Sequence, residues 1–280
     1  MLDFDQCINK IKKIKTEKYC LIIGGQGANK ARSPKIWNRI LKSNKINCKM
    51  IPLEVKQKSL KKLLDFLKND QKFLGGAIAV PYKENIYSYL KNDIDIFTKK
   101  IGSVNCLFKE NKLRGINTDG VGFYETLKKN KINKNLKNIL QLGYGGAGKA
   151  SLVFLRKYFP KKTKIYCATR KNLSKKIKNT GCDWIHWNKK NLIIDNCNMI
   201  VNSTSIGFGK MSNKSPYNLK EKKQIRYIYD IIYNPKATAL IKKSKKLGIK
   251  TINGLDMNLL QAHFAINKVF KNKIKLNNNK

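Results

Sequence analysis

The chain predicts an α/β protein of two domains, each a mainly parallel sheet covered by helices. Short apolar runs alternate with amphipathic lysine-rich segments, the alternation restarts near Asp119, and a glycine turn joins an apolar run to a helical one at 143–148. Strands alternating with helices are the pattern of a parallel sheet, because each crossover between parallel strands needs a covering helix.

In the first half, 19–25, 48–55, 74–80 and 104–109 read as strands. They are short, apolar and bounded by polar or glycine residues. Between them 33–44 and 57–69 have helical spacing; in the second of these Leu60, Leu63, Leu64 and Leu67 fall on one face. The second half repeats the scheme. Strands are expected at 136–142, 164–170, 197–205, 227–233 and 249–253, a helix opens at the glycine turn, and a final helix covers 255–270. The domains then read as 1–118, completed by the last helix and tail at 255–280, and 119–254.

Composition sets bounds on function. The chain has 280 residues, 41% hydrophobic, enough to bury a core without disulfide or metal staples. Its formal net charge is +43, but only six of its 60 basic residues are arginines. Arginine's planar fork reads phosphates and base edges best, so lysine spread along the whole chain argues against a selected nucleic-acid surface. Zinc-finger spacing and RRM-type aromatics are also missing. The seven cysteines form no CxxC pair and read as free thiols of a reducing compartment. Two histidines are too few for a histidine-based metal site, so no metal is expected. The first fifteen residues lack a signal peptide's apolar core, and no run is long enough to span a membrane. A soluble, cytoplasmic protein is expected, as a monomer or homodimer, with the tail 275–280 disordered.

Gly143, Gly145 and Gly148 fit GxGxxG between a strand and a helix. Side chains there would block the backbone's approach to a pyrophosphate. The N–H groups of Gly146, Ala147 and Gly148, in the first turn of the helix, offer that anion hydrogen bonds and a partial positive charge. The next strand ends Ala168-Thr169-Arg170-Lys171 with no carboxylate before Asp183. A carboxylate there would bond a ribose 2′-hydroxyl and repel a 2′-phosphate, whereas Arg170 and Lys171 attract one. The expected cofactor is NADP(H), held by a Rossmann-type second domain.

Further segments stand out in order. Ala31-Arg32-Ser33-Pro34 precedes a helix; Val80-Pro81-Tyr82-Lys83 ends a strand with a lysine at the mouth of the sheet; 102–105 and 115–120 are tight polar turns. Asn202-Ser203-Thr204-Ser205 follows a strand, and 233–240 and 254–261 complete the set. In these motifs and their order, from Ser33 to Gln261, the chain resembles the shikimate dehydrogenase family, which includes quinate dehydrogenase and shikimate-dehydrogenase-like enzymes. The resemblance implies a substrate-binding catalytic domain, an NADP-binding domain, and a last helix that returns to the first domain. It implies reversible reduction of 3-dehydroshikimate, or a related cyclic keto acid, to shikimate by hydride transfer, a step of aromatic amino acid biosynthesis. Lys83 and Asp119 map onto the family's catalytic pair. Ser33, Asn105, Tyr233 and Gln261 map onto substrate-side positions, and Ser203, Thr204 and Gly254 onto the cofactor side.

The chain departs from the family at three polar positions, which are Ala31, Ala77 and Ala79 here. Arg32 stands beside the first and is expected to bind a substrate carboxylate by charge. The alanines leave open a reductase of a different small cyclic ketone. A non-catalytic NADP-binding regulatory protein is the second alternative, against which the retention of Lys83 and Asp119 argues.

Overall fold

The computed structural model describes residues 16–221 and 223–274. The segment 1–15, read above as lacking a signal peptide, and the tail 275–280, expected to be disordered, lie outside the described residues. The chain divides into two compact units. One is formed by the described parts of Met1–Thr118 and Gln261–Lys280, the other by Asp119–Leu260.

The first unit holds β1 (Lys18–Gly24), α1 (Ser33–Ser43), β2 (Cys48–Glu54), α2 (Leu60–Asn69), β3 (Phe73–Ile78), α3 (Lys83–Leu90), α4 (Ile96–Ile101), β4 (Cys106–Lys109) and β5 (Leu113–Ile116). Its sheet runs β2-β1-β3-β4-β5. The leucines of α2 that share a face in the sequence, Leu60, Leu63, Leu64 and Leu67, are all buried. They join Leu21, Ile23, Leu53 and Phe73 in the core beneath the sheet. The expectation of a mainly parallel sheet needs correction here. β1 pairs parallel with β2 and β3, but β3–β4 and β4–β5 are antiparallel. For β4–β5 the physical reason lies in the connection: only Glu110-Asn111-Lys112 separates the two strands, enough for a hairpin and far too little for a crossover.

The second unit holds α5 (Asp119–Lys129), β6 (Asn138–Leu142), α6 (Gly146–Tyr158), β7 (Lys164–Thr169), α7 (Ser174–Lys178), β8 (Asp183–His186), α8 (Asn191–Ile194), β9 (Met199–Asn202), β10 (Tyr227–Asp230), α9 (Ala239–Lys246) and β11 (Lys250–Ile252). The last helix, α10 (Leu255–Val269), contains the second boundary between the units, after Leu260. The sheet runs β11-β10-β9-β6-β7-β8 with every pair parallel. With β6 counted as its first strand, this is the 3-2-1-4-5-6 order of the doubly wound dinucleotide fold. Such a sheet binds ligands outside the carboxyl ends of its strands, where the order reverses. Here that point lies between β6 and β9.

Candidate active site

At that point a cavity of about 850 Å³ opens, lined by residues from the ends of β6, β7, β8 and β9. Gly143, Tyr144 and Gly145 form one wall, and Thr169, Arg170 and Lys171 another. Ser203, Thr204, Ser205 and Ile206 contribute from beyond β9. No carboxylate is among the lining residues, so the local field favours an anion.

The glycines of the turn do different work. Gly143 has φ 95°, a left-handed conformation that costs other residues energy. A Cβ on Gly148 would come within 2.8 Å of Ser203 Oγ and 3.1 Å of the Gly143 carbonyl, so this glycine lets α6 pack against the strand ends. A Cβ on Gly145 would meet nothing within 4 Å. Packing therefore does not require glycine at 145, whereas close approach of a ligand to the backbone does. Gly145 is the N-cap of α6, and no side chain caps that helix. The first N–H groups of Gly146, Ala147 and Gly148 thus have no intrahelical acceptor. These features fit a dinucleotide pyrophosphate, with Arg170 and Lys171 fitting a further phosphate.

The polar side chains expected to touch the cofactor are largely committed to shaping the cavity. Ser203 Oγ donates to the Leu142 and Gly143 carbonyls at 2.8 and 2.9 Å. Thr169 Oγ1 donates to the Lys171 carbonyl at 2.7 Å and accepts from Trp184 Nε1 at 2.7 Å. Gln141, buried at the end of β6, was not foreseen. Its Nε2 donates to the Gly143 and Gly148 carbonyls at 3.0 and 2.8 Å, which clamps the turn from below. Tyr144, Leu173, Trp187 and Met211 also line the cavity and were not foreseen. They come from four separate segments, and no local spacing marks them. Burial pushes the Tyr144 hydroxyl up to about 12, so it stays a neutral donor.

Of the expected cofactor and substrate residues of this unit, Gly146, Ala147, Gly148, Gly254 and Tyr233 fall outside the cavity lining. A Cβ on Gly254 would lie 1.9 Å from the Ile231 carbonyl oxygen, so glycine there permits the chain to pass the end of β10. Tyr233 follows β10 and is half-buried. Asp119, buried, is the first residue of α5.

In the first unit, Lys83 opens helix α3 rather than ending a strand. The strand stops at Ile78, and a turn containing the cis Val80–Pro81 bond carries the chain into the helix. The Val104 N–H donates to the Lys83 carbonyl at 2.9 Å, which ties the lysine's backbone to the segment carrying Asn105. Asn105 is buried and braced on every side. Its Oδ1 accepts the Thr118 N–H at 2.7 Å, and its Nδ2 lies 3.4 Å from Gln261 Oε1. The Thr118 hydroxyl donates to the same Gln261 oxygen at 3.1 Å. Asn117 Nδ2 donates to the Ser103 carbonyl at 2.9 Å, binding the two polar turns together. Asn105 and Gln261 are thus brought together, with Thr118 as an unforeseen third member.

Arg32 is the exposed N-cap of α1 and Ser33 its first residue. The loop before them is held by Glu54, whose Oε1 accepts the Gly27 and Asn29 N–H groups at 2.7 and 3.2 Å. Of the three alanines, Ala79 has a visible packing reason. The methyls of Ala28 and Ala79 close on Gly24, where a Cβ would sit 2.9 Å from each. Ala77 sits in β3 between Ile22 and Cys106. Among the described residues no group of three or more His, Cys, Asp or Glu side chains could hold a metal, and no helix is long and apolar enough to cross a membrane.

Sheet order, glycine turn and acid-free basic cavity together define a two-domain α/β protein with a Rossmann-type dinucleotide-binding unit. The family model for the shikimate dehydrogenase substrate binding domain matches residues 23–107. The chain is 34% identical over 253 residues, 86% of its length and 93% of the relative's, to the shikimate dehydrogenase (NADP(+)) of Clostridium botulinum strain Hall. It is 38% identical over 205 residues, 70% of its length and 72% of the relative's, to the shikimate dehydrogenase (NADP(+)) of Dictyoglomus thermophilum. Its fold is similar to a crystal structure of shikimate dehydrogenase in complex with NADP+, with TM-score 0.81, 28% identity and coverage of 94% of this chain and 93% of that one. The chain belongs to the shikimate dehydrogenase family.

Proposed function

We propose that this protein is an NADP(H)-dependent oxidoreductase that reversibly converts 3-dehydroshikimate to shikimate. The observation that carries the reading is the acid-free cavity at the glycine turn, with Arg170 and Lys171 in its lining, in a chain of this family. Residues 1–118, with the end of the chain, form the substrate-binding catalytic domain, and the second unit is the dinucleotide domain. When bound, NADPH supplies the hydride that turns the ring ketone carbon into a secondary alcohol centre.

Lys83 gives the proton that the developing alkoxide oxygen needs, and its neutral amine takes that proton back in the oxidative direction. Asp119 is the second member of the acid–base pair that the family resemblance implies. Asn105 and Gln261 bond substrate hydroxyls, held by Thr118 so that little ordering is left to binding. Ser33 and Arg32 meet the substrate carboxylate at the start of α1, a helix end with no acidic residue in its first turn. Tyr233 bounds the nicotinamide side. Gly143, Gly145, Gly146 and Ala147 hold the pyrophosphate, and Arg170 and Lys171 the 2′-phosphate. Each polar group lost at Ala31, Ala77 and Ala79 removes about 0.5–1.5 kcal/mol of binding, which the Arg32 charge offsets in part. The named relatives favour this reading over a reductase of another ketone and over a non-catalytic NADP-binding protein. The six described cysteines form no disulfide, which suits a reducing compartment such as the cytoplasm.

The test is purified protein with NADP+ and shikimate, followed by absorbance of the reduced nicotinamide, with quinate and NAD+ as controls. Turnover of shikimate with NADP+ supports the reading. Tight NADPH binding without turnover of shikimate overturns the substrate assignment.

A further inference from the structure

Asp230 is the last residue of β10 and fully buried, yet it belongs to none of the roles above. Asn202, its register partner, is the last residue of β9. Every polar atom of this pair is used. Asp230 Oδ1 accepts Asn202 Nδ2 at 3.0 Å and the Ile232 N–H at 3.1 Å, and Oδ2 accepts the Thr238 hydroxyl at 2.7 Å. Asn202 Nδ2 also donates to the Ile206 carbonyl at 3.1 Å. Asn202 Oδ1 accepts both the hydroxyl and the N–H of Thr204, at 2.7 and 3.1 Å. The Thr204 hydroxyl in turn accepts the Ile206 N–H at 3.1 Å. Thr204 and Ile206 line the dinucleotide cavity, and Asp230 does not.

An asparagine amide can face either way, and only its partners decide which. The Asp230 carboxylate accepts and never donates while ionised, so it must face the amide's NH2 group. That choice turns Asn202 Oδ1 toward the two donors of Thr204. The backbone favours the same orientation, since a reversed Asn202 would set its NH2 against the Thr204 N–H and its oxygen against the Ile206 carbonyl. Asp230 anchors the amide in that orientation with a charged acceptor, and a neutral amide at 230 would hold it less tightly. The same cluster reaches the loop a second way, because Gly207 packs so closely on Thr238 that a Cβ would lie 3.3 Å from the Thr238 methyl.

We propose that Asp230 is a positioning residue for cofactor binding, anchoring by its hydrogen bond the Asn202 amide that holds the Thr204–Ile206 wall of the cavity. This rests on the assignment of that cavity to NADP(H). The test measures amide hydrogen exchange at Thr204 and Ile206 in the cofactor-free protein, and the NADPH dissociation constant by nicotinamide fluorescence. In Asp230→Asn, exchange at these two amides should rise roughly tenfold while the amides of β6 and β7 keep their protection. The NADPH dissociation constant should rise by about the same factor, the size of one lost charge-assisted hydrogen bond. KM for shikimate at saturating NADP+ should stay within about twofold, since uniform damage would move both. If Asp230→Asn does not fold, Thr238→Val and Thr238→Ser decide: valine removes the hydroxyl from the carboxylate and should loosen the wall, and serine restores it. Unchanged exchange at Thr204 and Ile206 in a folded variant overturns the proposal, as does an equal loss of protection throughout the second unit. If the native protein binds no NADPH, the cofactor reading fails, and the exchange data still decide the role of Asp230.

Discussion

Gly145→Ala separates a glycine needed for folding from one needed by a ligand. A Cβ at 145 meets no atom within 4 Å. The residue has φ −76° and ψ −169°, extended backbone that alanine adopts without strain. The substitution therefore costs nothing in packing and reduces the freedom of the unfolded chain, so stability should be unchanged or rise by about 0.4–1 kcal/mol. The same methyl stands on the cavity wall, where the proposed function brings a pyrophosphate to the first N–H groups of α6. Loss of one such bond to a charged group is worth about 1.5–3 kcal/mol, or roughly a 10- to 100-fold rise in the NADP(H) dissociation constant. Gly148→Ala is the counterpart. Its methyl would press on Ser203 Oγ at 2.8 Å and the Gly143 carbonyl at 3.1 Å, an overpacking that should cost about 1–3 kcal/mol. Thermal melts of the cofactor-free variants and NADPH titrations separate the two effects. A Gly145→Ala protein that melts like the native one and binds NADPH equally well would refute the assignment of the glycine turn to the pyrophosphate.

Four other outcomes follow from the same site. Lys83→Met should lower kcat by about 10²–10⁴ while NADPH binding, measured by fluorescence, stays as it was. Arg170→Ala should raise KM for NADP+ and leave kinetics with NAD+ nearly unchanged, in steady-state assays with each cofactor. Glu54→Ala strips the acceptor from the Gly27 and Asn29 N–H groups and should cost about 1–2 kcal/mol by urea denaturation; Glu54→Gln should cost less. Burial raises the Asp230 carboxyl above the ordinary carboxylate range, outweighing its hydrogen bonds to Thr238, Ile232 and Asn202. The folded state then holds this proton more tightly than the unfolded state. Stability from this group should be highest below the ordinary carboxylate value and fall as pH rises through the raised one. Denaturation at a series of pH values should show that slope in the native protein and not in Asp230→Asn.

How much of this was legible in the sequence depended on whether the signal was local. The leucines of α2 declared themselves because they bury one face at helical spacing, and the runs of β1, β6 and β9 because strands buried on both faces stay continuously apolar. β5 and β8 did not, being four residues each with little alternation. α9 was hidden for another reason: only Leu240, Ile241 and Ser244 of its eight residues are buried, among four lysines. Lys83 was read as a strand end because Ala77 to Val80 are small and apolar, and the turn at Val80–Pro81 that starts α3 left little trace in that pattern. Gln141, Glu54 and Asp230 could not be singled out, since each works by gripping backbone or side chains distant in sequence.

The amino-acid sequence alone determined the alternation of strands and helices, the glycine turn at 143–148, and the absence of a carboxylate after β7 that makes the cavity suited to a phosphate. These are properties of neighbouring residues, and local sterics and charge suffice to set them. Tertiary structure decided the antiparallel β3-β4-β5 edge, the 3-2-1-4-5-6 order of the second sheet, and the division of labour among the glycines. It also decided that Asn105 meets Thr118 and Gln261, and that Asp230 faces Asn202. Those pairings join residues far apart in the chain, and their geometry exists only once the sheets have formed.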